Sequence, residues 1–292
     1  MTSRTRTRLV AATGAATLTA GLTAGLVVAT SPAEAVTGTL NYTCTILGQP
    51  KTVTVVADTD APRRIAYGET ITPAASGILT IPADVADQVR LAGAKKADGK
   101  ADVAATVDDT ARPLTLTVPS TNIPPNGPLV LEASGPAGPF AGTKVGNVYD
   151  IAVGNFTTVL NLTEANGTPI AGSPQTIPCV LNPGQNAAVD TIKVVRDKTT
   201  TTVDAPDIAK GAKATADVAV VSEHGTTAKG KIKVKLVRNG KVWQTKIVAL
   251  RGGHKQVTLQ RIHAKGNYKV KVKYVGRESW KGSRDVDAFT VG

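Results

Sequence analysis

The sequence predicts an all-β protein built as two β-sandwich domains, the first carrying one short helix. Three observations carry that expectation. Apolar and polar residues alternate with period two in one segment after another. Gly and Pro, 28 and 17 of the 292 residues, punctuate those segments as turn formers do. Composition breaks near residue 196: the last proline is Pro206 and the one before it Pro183. Charge breaks at the same place, since residues 36–196 hold 11 Lys and Arg against 13 Asp and Glu, whereas residues 197–292 hold 20 against 8. With 41% hydrophobic and 19% charged residues the chain has enough apolar material for packed cores, which argues against disorder.

The expected division is a signal peptide over residues 1–35, a β-rich secreted domain over 36–196 and a basic β-sandwich over 197–292. Arg4, Arg6 and Arg8 precede an uncharged stretch from Leu9 to Thr30, which ends in Ser31-Pro32-Ala33-Glu34-Ala35. A positive n-region, an apolar h-region and an A-x-A exit make a secretory signal with cleavage after Ala35. The alternative is an uncleaved membrane anchor; the Thr and Gly content and the small-residue exit favour cleavage. No comparable apolar run recurs after Ala35, so the mature chain is expected outside the cell and free of the membrane.

Export gives the cysteines a meaning. Cys44 and Cys179 are the only two, and in an oxidising compartment an isolated pair is most simply one disulfide. The alternative, a Cys nucleophile, needs a His partner, and His224, His254 and His263 all lie in the second region.

In the first domain Lys51–Val56, Leu114–Val118 and Phe156–Leu162 alternate with period two and are bounded by Pro, Gly, Asn or Asp. The helix candidate is Pro82 to Ala94. Pro82 suits a first turn, Asp84 and Asp87 suit its positive end, and Val85, Val89 and Leu91 give a partial apolar face. Between Asn122 and Pro139 the Pro-Gly segment fits edge strands and turns.

Leu40-Asn41-Tyr42-Thr43-Cys44, then Leu114 to Pro119 running into Ile123-Pro124-Pro125-Asn126-Gly127-Pro128, then Cys179 followed by Pro183-Gly184-Gln185-Asn186, resemble an uncharacterised domain of secreted actinobacterial proteins. That resemblance covers most of residues 38–195. It implies export and the Cys44–Cys179 pairing, and it supplies no active site.

In the second domain Gly230 to Val237 alternates Lys with apolar residues, and Asn239-Gly240 then marks a hairpin before Lys241 to Thr245. Gly266 to Tyr274 repeats the alternation. Ala214–Val221, Gln256–Gln260, the neighbourhood of Val203 and Val286–Val291 bring the count to about seven short strands, the number and length of an immunoglobulin-like sandwich. Gly266-Asn267-Tyr268, Tyr274-Val275-Gly276 and Trp280-Lys281-Gly282-Ser283 resemble the Ig-like repeats of bacterial surface proteins, which implies that Tyr268 is the tyrosine-corner residue. Between the two domains, Arg196-Asp197-Lys198 reads as a short linker opening into a strand.

Alternation also locates the charge. With Ile232, Val234 and Leu236 turned inward, Lys231, Lys233 and Lys235 turn outward; with Tyr268, Val270, Val272 and Tyr274 inward, so do Lys269, Lys271 and Lys273. In an Ig-like topology these two strands are neighbours, so six lysines share one face. The functional reading is a face for polyanions such as teichoic acids and other wall polymers. The plainer one is a solvated face, with Asp285 and Asp287 neutralising part of it. Lysine rather than arginine, with no aromatic residue interleaved, argues against nucleic acid.

Catalytic patterns are thin. His254 and His263 lack a metal-ligand spacing. The pairs Asp58 with Asp60 and Asp108 with Asp109 read as turn residues rather than calcium ligands. Trp243 and Trp280 could stack on a glycan, or one is buried and the other sits in a loop. The expectation is a non-enzymatic secreted protein associated with the cell envelope or extracellular matrix, with no cofactor and no catalytic or metal residues. A carbohydrate-binding adhesin module and, behind it, a hydrolase with an unrecognised site are the alternatives.

Overall fold

Strict alternation shapes the first strand, β1 (Leu40–Ile46), in which Leu40, Tyr42, Cys44 and Ile46 are buried and the residues between them exposed. The computed structural model describes residues 38–292, so the expected signal peptide lies outside the described residues. After β1 come β2 (Gln49–Thr59), β3 (Arg64–Ala66), β4 (Thr70–Ile71) and β5 (Ala74–Ile81), then the helix α1 (Ala83–Leu91). They are followed by β6 (Lys96–Val107), β7 (Thr110–Ala111), β8 (Leu114–Asn122), β9 (Leu129–Pro136) and β10 (Phe140–Ala141). Last in this region are β11 (Val148–Thr163), β12 (Gln175–Leu181) and β13 (Ala188–Val195).

Eleven of these strands form one sheet in the order β3-β13-β11-β12-β1-β2-β5-β9-β8-β6-β7, and β11 pairs a second time with β6. That extra pairing closes β11, β12, β1, β2, β5, β9, β8 and β6 into a ring, so the faces of the first sandwich are joined at both edges. The long strand β11 makes this geometry. It pairs with β13 through Val148 to Ala152 and with β12 through Phe156 to Leu160, and its ladder to β6 shifts register between Val153 and Phe156. Gly154 sits in that irregularity, where a Cβ would lie 2.8 Å from the Ala104 carbonyl oxygen. The Cys44–Cys179 disulfide joins β1 to β12 at directly opposed positions.

Helix α1 is shorter than the expected Pro82–Ala94, with Pro82 as its extended N-cap and its end at Leu91, and it buries Val85, Ala86 and Val89 in the same core as Leu40, Leu129, Leu160 and Leu162. Leu91 departs from the expected apolar face and is 87% exposed. Val85 and Val89 lie one helical turn apart on the buried stripe, and Leu91, two residues past Val89, points away from it. Because α1 follows the Ile81 end of β5, it plugs that end of the ring.

The second region holds β14 (Thr199–Asp204), β15 (Lys213–Ser222), β16 (Gly230–Arg238), β17 (Lys241–Leu250), β18 (His254–Arg261), β19 (Gly266–Tyr274) and β20 (Ser283–Val291). They form a three-stranded sheet, β14-β15-β18, packed on a four-stranded sheet, β17-β16-β19-β20, an Ig-like sandwich. Asn239 and Gly240 both have positive φ, +47° and +80°, so the expected hairpin carries the backbone that matches strand twist. The Tyr268 hydroxyl donates to the Ala264 carbonyl at 2.8 Å, the tyrosine corner that the resemblance implied.

The segment expected as a linker is held rather than loose. Asp197 is fully buried; its N–H donates to the Ser279 carbonyl at 2.9 Å and its carbonyl accepts from Lys281 N–H at 2.7 Å. The turn between β3 and β4 packs on the second sandwich, where Tyr67 meets Trp280 edge-on with ring centroids 5.6 Å apart.

Candidate functional site

The β16–β19 ladder sets the lysine face. Lys233 stands directly opposite Lys273 and Lys235 opposite Lys271, while Lys269 faces Val237. Lys231 lies two residues before Lys233 and faces Ala249 on β17. The flanking strands extend the rows across the sheet: Ile247, Lys233, Lys273 and Arg284 form one, and Thr245, Lys235, Lys271 and Val286 the next. Lys231, Lys269, Lys271 and Lys273 are exposed, and Lys233 and Lys235, in the central strand, are half-buried. Ile247 and Val286 are 61% and 50% exposed and border the charge with apolar surface. Among the described residues none of the six lysines enters an ion pair.

Asp285 and Asp287 do not neutralise this face, which corrects the plainer reading. They pair with Val272 and Val270, whose side chains point into the sandwich, so the same alternation turns both carboxylates away from the lysines. Asp285 Oδ2 accepts from Val203 N–H at 2.9 Å and Asp287 Oδ2 from Ala205 N–H at 2.7 Å. They fasten the β14 side of one sheet to β20 of the other. In their place the outer face gains Arg284, a seventh cation that sequence reasoning missed although the parity of Phe289 and Val291 implied it.

Trp243 and Trp280 do not form a stacking platform. Trp280 is 8% exposed, packs edge-on against Tyr67, and donates from Nε1 to Thr226 Oγ1 at 2.9 Å. Trp243 sits at the β16–β17 bulge, 42% exposed, with its ring edge-on to Tyr268 at 5.5 Å and the Arg238 guanidinium over its face at 5.3 Å. One indole is consumed by packing and the other has a face already covered by a cation.

A second polar cluster, unread in the sequence, lies where the turn after β3 meets the second sandwich. His224 Nδ1 is 2.8 Å from Asp197 Oδ1, His224 N–H donates to Asp197 Oδ2, and His224 Nε2 is 3.9 Å from Glu69 Oε2. Hydrogen bonding to Asp197 holds the imidazole above its usual range against the opposing effect of burial, and Glu69 and Glu223 add to the rise. Asp197, Glu223 and His224 bring ligand atoms within 4.8 Å of one another. Both Asp197 oxygens are engaged by His224, and Glu223 pairs with Lys198 at 3.4 Å, so these contacts account for the cluster as it stands. His254 pairs with Asp217 at the exposed end of β18.

Asp108 and Asp109 are turn residues and Asp60 follows the end of β2, but Asp58 departs from the expected turn role and lies within β2, opposite Ser76. Asp108 and Asp109 have positive φ, +47° and +59°, and Asp108 Oδ1 accepts from Asp150 N–H at 3.2 Å. Asp60 Oδ1 accepts from Ala74 N–H at 2.6 Å and Asp58 Oδ1 from Thr59 N–H at 2.8 Å. Burial pushes the Tyr42 phenol up to about 12, and its hydroxyl donates to the Gly154 carbonyl at 3.1 Å.

No curated protein matches the chain. Among solved structures, one similar to it is a protein from Corynebacterium diphtheriae described as membrane anchored, at 12% identity and TM-score 0.36 over 87% of this chain; the chain spans 58% of that protein's length. The CARDB domain of the PF1109 protein from Pyrococcus furiosus, in complex with di-metal ions, is similar at 18% identity and TM-score 0.24, over 33% of this chain and 90% of that one. The D0-D1 domain of Intimin is similar at 12% identity and TM-score 0.22, over 80% and 96%. A family model described as a family of unknown function matches residues 41–190, just over half of the chain. The chain therefore belongs to the family of unknown function DUF6801.

Proposed function

We propose that this is an exported, non-enzymatic binding protein whose Ig-like sandwich holds an anionic polymer of the cell envelope on its lysine face. The observation that carries the reading is the acid-free pair of cationic rows across β16, β19 and β20. Like charges placed directly opposite one another in a ladder cost stability, so a sheet that keeps Lys233 against Lys273 and Lys235 against Lys271 retains a feature that packing does not favour. A polyanion laid along the rows would relieve that repulsion and release its own counterions. Ile247 and Val286 would cover the less charged parts of the polymer.

The N-terminal pattern and the disulfide support export, since such a bond persists in oxidising compartments. Among the described residues no helix is long and apolar enough to cross a membrane. The test is a salt titration of the full chain binding to isolated wall teichoic acid. Association that weakens steeply between low and physiological ionic strength is expected, and association indifferent to salt overturns the reading.

A further inference from the structure

We propose that the closed ring of the first sandwich is a binding site for a small aliphatic carboxylate. The ring is packed at the α1 end and hollow at the other. A cavity of about 110 Å³ there is lined by inward-facing residues of β2, β5, β6, β8, β9 and β11. The hollow is written in the side chains. Ala57, Gly77 and Ala133 stand directly opposite one another across β2, β5 and β9, so three neighbouring strands of the eight-stranded ring carry almost no side-chain volume at that level. Inward residues around these three, Val55, Leu79, Val103 and Leu114, remain partly exposed although they point away from the outer surface.

Two polar features give the hollow a chemistry. Thr158 is 1% exposed and lines the cavity, and its hydroxyl has no hydrogen-bond partner among the described residues. A buried hydroxyl without a partner is costly, and a ligand oxygen would satisfy it. At the rim the charged lining residues are Asp58 and Arg112. Asp58 Oδ1 already accepts from Thr59 N–H, whereas Arg112 is exposed and no ion pair among the described residues engages its guanidinium. A planar guanidinium beside an apolar opening suits a carboxylate.

The register gives the length. Thr158 is opposite Ala101, and Arg112 N–H donates to the Ala105 carbonyl, so the deep hydroxyl and the rim cation are four β6 residues apart, roughly 13 Å along the strand. A linear chain with a carboxylate at the rim and an oxygen at its far end would span that distance. This assignment is independent of the lysine face.

The test is calorimetric titration of the full chain with decanoate, decanol and ω-hydroxydecanoate, with thermal unfolding in parallel. Decanoate is expected to bind and raise the unfolding midpoint, decanol to bind about tenfold more weakly, and the ω-hydroxy acid more tightly than decanoate. Gly77→Ala tests the location at little structural cost, because its Cβ would meet nothing nearer than the Val56 carbonyl oxygen at 3.9 Å and Leu116 Cδ1 at 4.0 Å. It should weaken decanoate binding with the midpoint of the free protein unchanged or raised, and Gly77→Val should weaken it further. Arg112→Gln should abolish the preference for decanoate over decanol, and Thr158→Val the preference for the ω-hydroxy acid. No heat and no midpoint shift with any probe would overturn the proposal. So would binding that survives Gly77→Val but falls in a Lys271→Gln, Lys273→Gln variant, which would place the carboxylate on the lysine face.

Discussion

His224 and Asp197 form a two-point contact, ring nitrogen to one carboxylate oxygen at 2.8 Å and backbone N–H to the other at 3.2 Å, with the carboxylate fully buried. Asp197 closes the stretch between the two sandwiches, and His224 faces Glu69 of the first across 3.9 Å. The protonated imidazole is therefore a cation among three carboxylates at the seam. Its folded pKa lies above that of the unfolded chain, so the stability it contributes is complete below the ordinary histidine value of about 6.5 and is lost as pH rises through the raised folded value. Urea midpoints of the wild type are expected to fall between mildly acidic and mildly alkaline pH, while His224→Gln gives a flatter profile over that window. Parallel profiles for the two proteins would show that His224 is not the group responsible.

The disulfide closes 135 residues of chain between neighbouring strands. In the loop-entropy account a closure of this length is worth about 5 kcal/mol, and removing such bonds from natural domains costs about 2–5 kcal/mol. Reduction, or the Cys44→Ala, Cys179→Ala double variant, should lower the urea midpoint. It should also steepen the transition, because an unfolded chain freed of its loop exposes more surface. A lower midpoint with an unchanged slope would place the effect in the folded core, where Cys44 and Cys179 are 1% and 2% exposed.

Binding and stability should move in opposite directions on the lysine face. Lys273 faces Lys233 on one side and Arg284 on the other, with no acid in the row. Lys273→Glu converts two like-charge contacts into opposite-charge ones, and about 0.2–1 kcal/mol of added stability is expected from each cross-strand pair. The same change should weaken association with the anionic polymer and flatten its salt dependence. The measurement is paired thermal unfolding and polymer titration at two salt concentrations. A variant both less stable and equally able to bind would remove the lysine rows from the function.

How legible each of these features was depended on sequence distance. β16, β17 and β19 of the Ig-like sandwich were readable because Lys alternates with apolar residues along β16 and β19 and Asn239-Gly240 fixes the hairpin between β16 and β17. β6 was not. Its sequence, Lys-Ala-Asp-Gly-Lys-Ala-Asp-Val-Ala-Ala-Thr-Val, has few residues that favour strands, and it is held by pairing on both sides, with β8 and β11. At Gly99 a Cβ would lie 2.0 Å from the Val159 carbonyl oxygen, so the glycine that weakens the local signal is what lets the ring close. The inward side of Asp285 and Asp287 is legible in the strand's own parity, since counting in twos from the buried Phe289 and Val291 turns both inward. The His224, Asp197 and Glu69 cluster had no local signal, because its members come from three separate connections between strands and meet only in the folded chain.

The seam itself offers a test that separates backbone strain from contact. Gly68 has φ +84°, and a Cβ there would lie 2.2 Å from Thr226 Cγ2. Thr226 is not idle, since its Oγ1 accepts from the Trp280 indole and its carbonyl accepts from the Ser222 hydroxyl at 2.6 Å. Gly68→Ala therefore carries two costs: a left-handed conformation for a residue with a Cβ, about 1–2 kcal/mol, and the collision with the threonine methyl. Thr226→Ser removes the methyl and keeps the oxygen that Trp280 needs. In the double variant the collision is gone and the backbone cost remains, so the two substitutions should be non-additive, with Thr226→Ser recovering part of the loss. Trp280 fluorescence in a Trp243→Phe background reports whether the seam stays closed, because Trp280 is then the one remaining indole. Additive losses in the cycle would mean that the two turns do not press on one another.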